Sequence, residues 1–549
     1  MRKAELVLFS DSIFDSVSDE PFSGGIVISG GIIEYIGSKA SAANYIGPYT
    51  VVKDFGEKLV FPGFCDSHAH LDGLMKKYCA VVAKDLGRYG SEEECARAVR
   101  DFADKHPELK RINGHGWILT NWGPEPVPPS KASLDKYFPD IPVYLLGADG
   151  HTNWLNSKAI EECDLAGRLR DNPQYPEENA PKDDNGSFTG FIRELLALDV
   201  HNFALAVPPD EWARFYATYM KVLNSMGLTA VSDVTLLTHD NFIRHYWPLK
   251  AMEERDALTV RCYLSIMPRG EPPYTAEQIG ELDAYRELFS SDKLKIAGIK
   301  TGIDGIPFTY TAALLEPYSD NPSATGVYTY PPDVPKIWIK EANRLGYSVR
   351  VHCCGDAAVR IALDSFEESN RINDNGNIRN TVEHLDCLSD SDIPRFAGLG
   401  VVASMQPAHL IMVNGILAER YGDRIKNEWC FRKLLNANAT IAIGTDSPVV
   451  EIDPYLTIYK ALTRKDTDGT QFGPLTLDQA LTLPEVMKGY TINGAYVNNM
   501  EHKVGTLEAG KYADIAVSDR NLFDIPAEEL KDCRTVCTIF NGKIVYEEC

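Results

Sequence analysis

The sequence contains no apolar run of about 18 residues, the length that a membrane-spanning helix needs. Its first residues, MRKAELVLFSDSIFD, contain no apolar stretch followed by a small-residue cleavage site, so we expect no signal peptide. Positive charge is scarce, with 55 Lys and Arg against 78 Asp and Glu, and the net charge is −23. Nucleic acids and anionic membrane surfaces bind clustered cations, so we expect neither as a partner.

The sequence also lacks a Cys-x-x-Cys pair, and its 12 cysteines are scattered along the chain. This spacing predicts reduced, mostly buried thiols and a cytoplasmic protein rather than a disulfide framework. Cys65, Cys353 and Cys387 lie beside candidate site residues. Their sequence positions leave two roles open, packing and metal ligation.

The two ends of the chain have the same character. With 549 residues and 44% apolar content, the chain can bury a large core and is long for a single domain. Residues 1–57 and 503–549 both consist of short alternating strands and turns, with Asn541-Gly542 as a hairpin signal. Each segment is too thin to form a core alone, so we predict one β-sandwich domain built from both termini.

Between these ends, in residues 58–502, apolar strand segments alternate with helical segments. Apolar strands joined by helices predict parallel strands that are buried on both faces, which is an α/β fold. Eight such units predict a (β/α)₈ TIM-like barrel. The predicted strands are 58–70, 227–235, 258–266, 293–304, 348–355, 380–386, 401–407 and 440–447.

Residues 75–205 interrupt this alternation after the first barrel strand. The segment is too long for a single crossover, so we predict an inserted subdomain. It includes NGHGWILTNWGPEPVPPS and the polar stretch RDNPQYPEENAPKDDNGS. Long irregular segments over a barrel mouth are typical of binding loops, and this favours a cover for a substrate pocket.

Ionisable residues fall at the ends of the predicted strands. His68 and His70 close the first strand, and residues two apart on a strand point to the same side, so both imidazoles can reach one metal ion. Catalytic groups of barrel enzymes lie at this end of the strands, and a shared metal offsets the cost of burying polar side chains. Imidazole and carboxylate suit zinc, while manganese, iron and nickel also fit. Four further candidates follow this pattern: Lys300, His352, His384 and Asp446.

The individual residues also have structural interpretations. Lys300 is either a metal-site residue or the partner of a structural ion pair, and His352 and His384 could each be hydrogen-bonded core histidines.

The chain resembles the amidohydrolase superfamily, in particular its YtcJ-like (amidohydrolase 3) branch, and it is similar to N-substituted formamide deformylases. The resemblance covers almost the whole chain. It is carried by FPGFCDSHAHL (61–71), GHGW (114–117), LLGADGHTNWLNSKAI (145–160), TAALLEPY (311–318), VHCCGDAAV (351–359), VEHLD (382–386), IGTDSPV (443–449), YTINGA (490–495) and GTLEAGKYADIAV (505–517).

This resemblance implies a role for each candidate. His68 and His70 would hold one metal ion, and His352 and His384 would hold a second. Lys300 would be carboxylated by CO₂ and bridge the two ions. If it is unmodified, the site holds one metal. Asp446 would ligate metal and accept the proton of the attacking water.

The resemblance also suggests contacts with the substrate. His151 would contact substrate and stabilise an oxyanion, and the alternative is that it caps a helix starting near Asn156. Trp117 and Trp154 would line a pocket, or they pack inside the insertion. The family has small residues and an arginine after its Asp-Gly, whereas this chain has Ile-Pro-Phe-Thr-Tyr. Phe308 and Tyr310 are therefore expected to narrow the pocket or favour an aromatic substrate.

Three functions are compatible with these residues. The first is hydrolysis of a non-peptide carbon–nitrogen bond in a small molecule, such as an N-acyl, N-formyl or cyclic amide. The second is deamination of a heterocycle. Such sites often carry His-x-x-Glu, whereas this chain has Gly355 at the position of that Glu, three residues after His352. The third is a non-catalytic scaffold, which would be expected to lose its metal ligands. The resemblance also admits a homodimer.

Overall fold

The structure is a computed structural model of the chain. It describes residues 3–71, 73, 82–123, 127–148, 151–172, 175–205, 212–237, 239–412, 416–467, 469 and 477–548. The chain forms two compact units, one made of Met1–Tyr78 with Trp212–Cys549 and the other of Cys79–Glu211. Within the described ranges, none of the helices combines the length and apolar character that a membrane crossing requires.

Strands from both ends of the chain pair in one eight-stranded sheet. The strand β5 pairs with β1 on one side and with β18 on the other, so it connects the N-terminal strands to the C-terminal ones. Asn541 and Gly542 form the turn between the last two strands, and both have positive φ. The strands are β1 (Leu6–Ile13), β2 (Phe22–Ser29), β3 (Ile32–Gly37), β4 (Val51–Asp54), β5 (Leu59–Pro62), β18 (Ile515–Ser518), β19 (Thr535–Phe540) and β20 (Lys543–Glu547).

A second eight-stranded sheet is parallel throughout and nearly closes into a barrel. A single bridge between Ala69 and Ser447 brings its first and last strands together. Each of the eight predicted segments contains one of its strands, so the prediction of an α/β barrel is confirmed. The strands are β6 (Phe64–Ala69), β11 (Leu228–Asp233), β12 (Arg261–Ile266), β13 (Leu294–Gly302), β14 (Val349–Cys353), β15 (Thr381–His384), β16 (Val402–Met405) and β17 (Ile441–Ile443).

The first predicted strand, 58–70, is in fact two strands. The chain leaves the terminal sheet with β5 and enters the barrel with β6, and Gly63 separates the two. A Cβ at Gly63 would lie 2.3 Å from the Thr229 side chain, so a glycine is needed where the two sheets meet.

The helices of the barrel unit follow or connect its strands. One further short helix, Lys39–Ala43, lies in the N-terminal segment. They bury apolar stripes; in Asp356–Ile372, for example, Val359, Leu363 and Phe366 are buried. The helices are Lys39–Ala43, Trp212–Ser225, His239–Glu254, Ala276–Gly280, Asp283–Leu288, Val334–Arg344, Asp356–Ile372, Ile393–Leu399, Ile416–Tyr421, Phe431–Asn436, Pro454–Thr463, Leu483–Gly489 and Ile492–Val497.

The inserted unit has a four-stranded sheet of its own, with β7 (Ile112–Trp117), β8 (Val143–Gly147), β9 (Thr152–Leu155) and β10 (Phe191–Arg193) in the order β10-β9-β8-β7. Its longest helix is capped by Ser91, whose side chain accepts from the backbone of Glu94. The predicted first residue of the insertion, 75, lies outside the described residues. Its helices are Glu92–Lys105, Lys131–Asp135, Ser157–Glu162, Leu165–Asp171 and Glu194–Ala204.

Candidate metal centre

The six residues predicted as metal ligands lie at the carboxyl ends of the barrel strands. They all line one cavity of about 410 Å³. His68 lies in β6 and His70 directly follows it, Lys300 lies in β13, His352 in β14 and His384 at the end of β15, and Asp446 follows β17. Parallel strands bring these ends to one face of a barrel, which is why residues so far apart in sequence meet.

The imidazole and carboxylate groups converge closely. One ligand atom from each of His68, His384 and Asp446 lies within 4.8 Å of the other two. The Oδ1 atom of Asp446 is 2.8 Å from the Nε2 of His70 and 3.2 Å from the Nε2 of His68. The ring centroids of His352 and His384 are 4.2 Å apart. This set of nitrogen and oxygen donors has the composition of a zinc-type site.

A carboxylate behind the site orients His68. The Nδ1 of His68 is 2.6 Å from Oε2 of Glu383, and both side chains are fully buried. Thr381 donates to the other oxygen of Glu383. Burial would raise the pKa of Glu383, but the neighbouring His68 and Lys300 outweigh it and hold the pKa at about 2. The ionised Glu383 therefore accepts a hydrogen bond from the Nδ1–H of His68, and the Nε2 of His68 faces the centre.

A second buried carboxylate ties together the first and last strands of the barrel. The Oδ1 of Asp66 accepts from the backbone N–H groups of His68 and Thr445, at 3.0 and 3.1 Å. Its Oδ2 accepts from the Thr445 hydroxyl at 2.7 Å. The backbone N–H of Asp446 donates in turn to the carbonyl of His68. These bonds fix the position of Asp446 relative to His68.

Two of the converging residues have unusual backbone conformations. His384 has φ of 76° and Asp446 has φ of 61°, in the left-handed region that non-glycine residues seldom adopt. Such conformations cost on the order of 1–3 kcal/mol each and occur mainly at functional sites, where the surrounding contacts hold them.

Lys300 is buried without a partner. Its side chain is 3% exposed, and its Nζ has no hydrogen bond among the described residues. Burial lowers the pKa of Lys300, although Glu383 and Asp446 oppose the shift. An amine in this position is costly to leave unsatisfied, so a group that binds to it would stabilise the site.

The ionisation states also suit metal binding. Burial and the neighbouring Lys300 lower the pKa of His352 to about 4, and burial holds the pKa of His384 well below its usual value. Both imidazoles are therefore neutral, as ligands must be. Burial would raise the pKa of Asp446, but His68 and His70 outweigh it and keep the carboxylate ionised. The buried, unpartnered Lys300 Nζ and this donor set together fit a divalent metal ion.

The cysteines beside the site are packing residues in the structure. All ten cysteines in the described ranges are free and buried. Burial raises the pKa values of the Cys65, Cys353 and Cys387 thiols, and none of the three is among the described residues that line the cavity. The sulfur of a fourth cysteine, Cys354, lies 3.5 Å from the Nε2 of His352.

His151 lies in the inserted unit and is exposed. Its Nδ1 is 3.0 Å from Oε2 of Glu194, and its carbonyl accepts from the Glu194 backbone. The alternative that His151 caps the next helix is wrong, because Asn156 caps Ser157–Glu162 through its own side chain. The role of His151 as a substrate contact stays a prediction.

Trp117 and Trp154 lie in the core of the inserted unit. They are 2% and 0% exposed, and their ring centroids are 6.4 Å apart in an edge-on arrangement. Each indole N–H donates to a backbone carbonyl of the same unit, that of Leu145 or Ser130. This burial fits the packing interpretation rather than a pocket wall, because no face of either ring is available to a ligand.

The loop after β13 contributes other residues to the cavity than expected. Ile306 and Thr311 belong to its described lining, and Phe308 and Tyr310 do not. Tyr310 instead donates to Asp320, and the guanidinium of Arg420 lies 3.9 Å from the centre of its ring. This loop turns the Tyr310 ring to Asp320 and Arg420, and a contact of Phe308 or Tyr310 with substrate stays a prediction.

Sequence reasoning missed several residues of the site. Glu383 carries a readable signal, since it is a charged residue inside an apolar strand directly before His384. Asp66 offers a similar signal two residues before His68. His409, whose Nε2 lies 3.4 Å from Oδ2 of Asp446, carries none, because it lies in a short segment after β16 with no distinctive spacing.

An α/β barrel with buried histidines, a lysine and an aspartate at its strand ends defines the class of metal-dependent barrel hydrolases. Two solved structures agree with this class. The chain is similar to an uncharacterized metal-dependent hydrolase from Pyrococcus furiosus, at 26% identity and a TM-score of 0.75, over 94% of this chain and 99% of the other. It is similarly related to one from Pyrococcus horikoshii, at 26% identity and a TM-score of 0.76, over 95% and 99%.

The family follows from a match along nearly the whole chain. A family model described as "Amidohydrolase family" matches residues 52–546. The chain therefore belongs to the Amidohydrolase family, within its YtcJ-like branch, and is a hydrolase of carbon–nitrogen bonds.

Three relatives are similar to nearly the whole chain. Putative amidohydrolase YtcJ of Bacillus subtilis is 27% identical over 98% of both chains. Protein LONG AFTER FAR-RED 3 of Arabidopsis thaliana is 27% identical over 99% of this chain and 92% of its own. N-substituted formamide deformylase of Arthrobacter pascens is 23% identical over 95% and 94%.

Proposed function

We propose that this protein hydrolyses the non-peptide carbon–nitrogen bond of a small, uncharged amide, such as an N-acyl, N-formyl or cyclic amide. The observation that carries the proposal is the buried convergence of His68, His384 and Asp446 on one cavity that also contains the unpartnered amine of Lys300.

We assign the binding of one or two divalent ions to the converging residues, with zinc as the preferred metal. His68 and His70 would hold one ion, and His352 and His384 would hold a second. The neutral amine of Lys300 would add to CO₂ and release one proton, and the resulting carbamate would supply a further anionic metal ligand. When bound, the metal supplies Lewis acidity, which polarises the carbonyl and lowers the pKa of water at the site.

Asp446 moves the proton in this proposal. Its ionised carboxylate accepts a proton from the attacking water, whose oxygen bonds to the carbonyl carbon. The carbon–nitrogen bond then breaks, and Asp446 delivers the proton to the departing amine nitrogen. The products are a carboxylic acid and an amine. The low pKa of Asp446 favours the carboxylate before the water attacks.

The lining of the cavity supports an uncharged substrate. Its walls carry apolar side chains, and among the described lining residues Lys300 is the one Lys or Arg. A substrate carboxylate placed away from the metal ions would therefore lack the paired cation that its burial requires. The apolar members of the lining are Leu236, Met267, Ile306 and Val449.

A panel of amides tests the substrate class. Metal-stripped protein is reloaded with Zn²⁺ and incubated with N-formyl and N-acetyl derivatives of benzylamine and butylamine, and with the same acyl groups on glycine. The formamide deformylase among the relatives makes N-formyl amines the first compounds of the panel. We expect release of benzylamine and butylamine from their uncharged amides to exceed release of glycine. A clear preference for the glycine derivatives would refute the uncharged class.

The Asp446→Asn variant tests the mechanism. We expect turnover to fall by about 10²–10⁴, because the amide cannot accept the proton, while most of the bound metal is retained. Metal content by plasma emission spectroscopy and amine release are the two measurements. Asp453→Asn is the matched control, because Asn also caps the helix Pro454–Thr463 and activity should be unchanged. Near-normal activity in Asp446→Asn would contradict the assignment.

A further inference from the structure

His409 lies beside the candidate centre although its strand supplies none of the six predicted ligands. It belongs to the segment Pro407–Met412, which follows β16, between the strands that carry His384 and Asp446. Its side chain is buried, and its Nε2 has no hydrogen-bond partner within the described ranges. An imidazole nitrogen left unsatisfied in the interior needs a physical reason.

The nitrogen faces the free oxygen of Asp446. Its Nε2 lies 3.4 Å from Oδ2 of Asp446, whereas Oδ1 of the same carboxylate is the oxygen that faces His68 and His70. The two carboxylate oxygens therefore have different neighbours. The separation is slightly long for a hydrogen bond, and such contacts commonly shorten when a site binds its ligands.

The segment that carries His409 is held firmly. The buried Lys460 donates to the carbonyl of Ala408 at 3.2 Å, and the backbone N–H of His409 donates to Gln406 at 2.9 Å. The backbone N–H of Gly444 donates to the carbonyl of Met405, which ties the end of β16 to the residues that lead to Asp446. The imidazole therefore has little freedom to move away from the carboxylate.

His409 is not one of the described residues that line the cavity. It reaches the centre from behind Asp446, so a contact with substrate is not what the geometry offers. We propose that His409 is a positioning residue that donates its Nε2–H to Oδ2 of Asp446 and so holds the carboxylate with Oδ1 turned to the metal site and the water. This inference rests on the proposed role of Asp446.

Paired substitutions separate positioning from simple packing. His409→Phe removes the donor and keeps an aromatic ring, whereas His409→Gln keeps an N–H donor on a flexible side chain. His245→Phe is the matched control, because His245 is a partly buried histidine of the same unit that meets the Trp212 ring edge-on and lies outside the cavity lining. The full-length chain is used throughout, stripped of metal and reloaded with Co²⁺ or Zn²⁺.

The first measurement is the visible absorption spectrum of the Co²⁺-loaded protein, which reports the ligand geometry without any substrate. We expect His409→Phe to shift the spectrum, and His409→Gln and His245→Phe to keep that of the wild type. The second is turnover of the best amide of the panel. We expect His409→Phe to lower kcat at least about tenfold with KM unchanged, and His409→Gln to restore most of it.

Three results would overturn the inference: an unchanged Co²⁺ spectrum and kcat in His409→Phe, equal losses in His409→Phe and His245→Phe, or no recovery in His409→Gln. If the wild type hydrolyses no amide of the panel, the proposed function fails. The Co²⁺ spectra still decide the contact between His409 and Asp446 in that case.

Discussion

Single charged residues inside apolar strands mark the candidate site. Lys300 and Glu383 lie in buried barrel strands. A charge there is costly to bury unless it is paired with another charge or binds a metal ion. Lys300 was recognisable in the sequence because it interrupts IAGIKTGID, and Glu383 has the same signal in TVEH. The partner of Glu383 could not be predicted, because His68 lies 315 residues away in the chain.

Replacing Glu383 tests how His68 is prepared for metal. Glu383→Gln keeps the shape but removes the charge that accepts the Nδ1 proton of His68, and its amide can also donate to that nitrogen. We expect metal affinity to fall by roughly 10–100-fold. Competition with a chromophoric chelator measures the affinity.

Glu428→Gln is the control for that experiment, because Glu428 is an equally buried carboxylate of the same unit that does not line the cavity. Its metal affinity should match the wild type. Equal losses in the two variants would show a general effect of replacing a buried carboxyl group instead.

At the scale of secondary-structure elements, apolar runs in the sequence predicted the barrel strands. The same kind of pattern could not predict whether a side chain of the inserted unit faces a pocket or a core. The barrel strands are short and buried on both faces, so their apolar runs identify them locally. Whether a tryptophan in the insertion faces a pocket or a core depends on the layers packed against its strand. Trp117 ends β7 and Trp154 lies in β9, and the core of the unit encloses both.

A truncation of Trp117 tests this packing role. We expect Trp117→Ala to lower the free energy of unfolding of the inserted unit by about 3–5 kcal/mol, because it leaves a large cavity and an unpaired carbonyl at Leu145. Urea unfolding followed by circular dichroism measures the change.

The matched substitution is Trp247→Ala, where the side chain is 49% exposed and the effect should stay within about 0.5 kcal/mol. Unchanged stability in Trp117→Ala together with a raised KM would restore the pocket-wall interpretation.

At the scale of the whole molecule, a buried ion pair joins the barrel to the sheet made by both termini. The guanidinium of Arg261 in β12 donates to both oxygens of Asp514, at 2.7 and 3.2 Å, and both side chains are buried. The carbonyl of Asp514 accepts from Gly63, where the chain passes from one sheet into the other. The pair therefore lies at the junction of the two sheets.

Breaking this pair should destabilise the barrel unit as a whole. We expect Asp514→Asn to cost about 3–5 kcal/mol of unfolding free energy, because Arg261 is left buried without a counter-charge. Asp256→Asn, which breaks an exposed pair with Lys293 and Lys543, should cost less than about 1 kcal/mol. Thermal unfolding of the two variants compares them, and equal shifts in Tm would contradict a special role for the buried pair.

The sequence by itself determined the parts of this protein that depend on local pattern. Apolar runs of strand length identified the barrel strands, and polar residues at their ends identified six candidate ligands, because the carboxyl ends of parallel strands must share one face. The tertiary structure decided which residues meet across the barrel. Glu383 contacts His68, and His409 contacts Asp446, although the partners lie far apart in the sequence or on different strands. The cavity lining likewise consists of residues from several strands and loops. Such contacts depend on strand neighbours and loop conformations, which no local pattern of residues encodes.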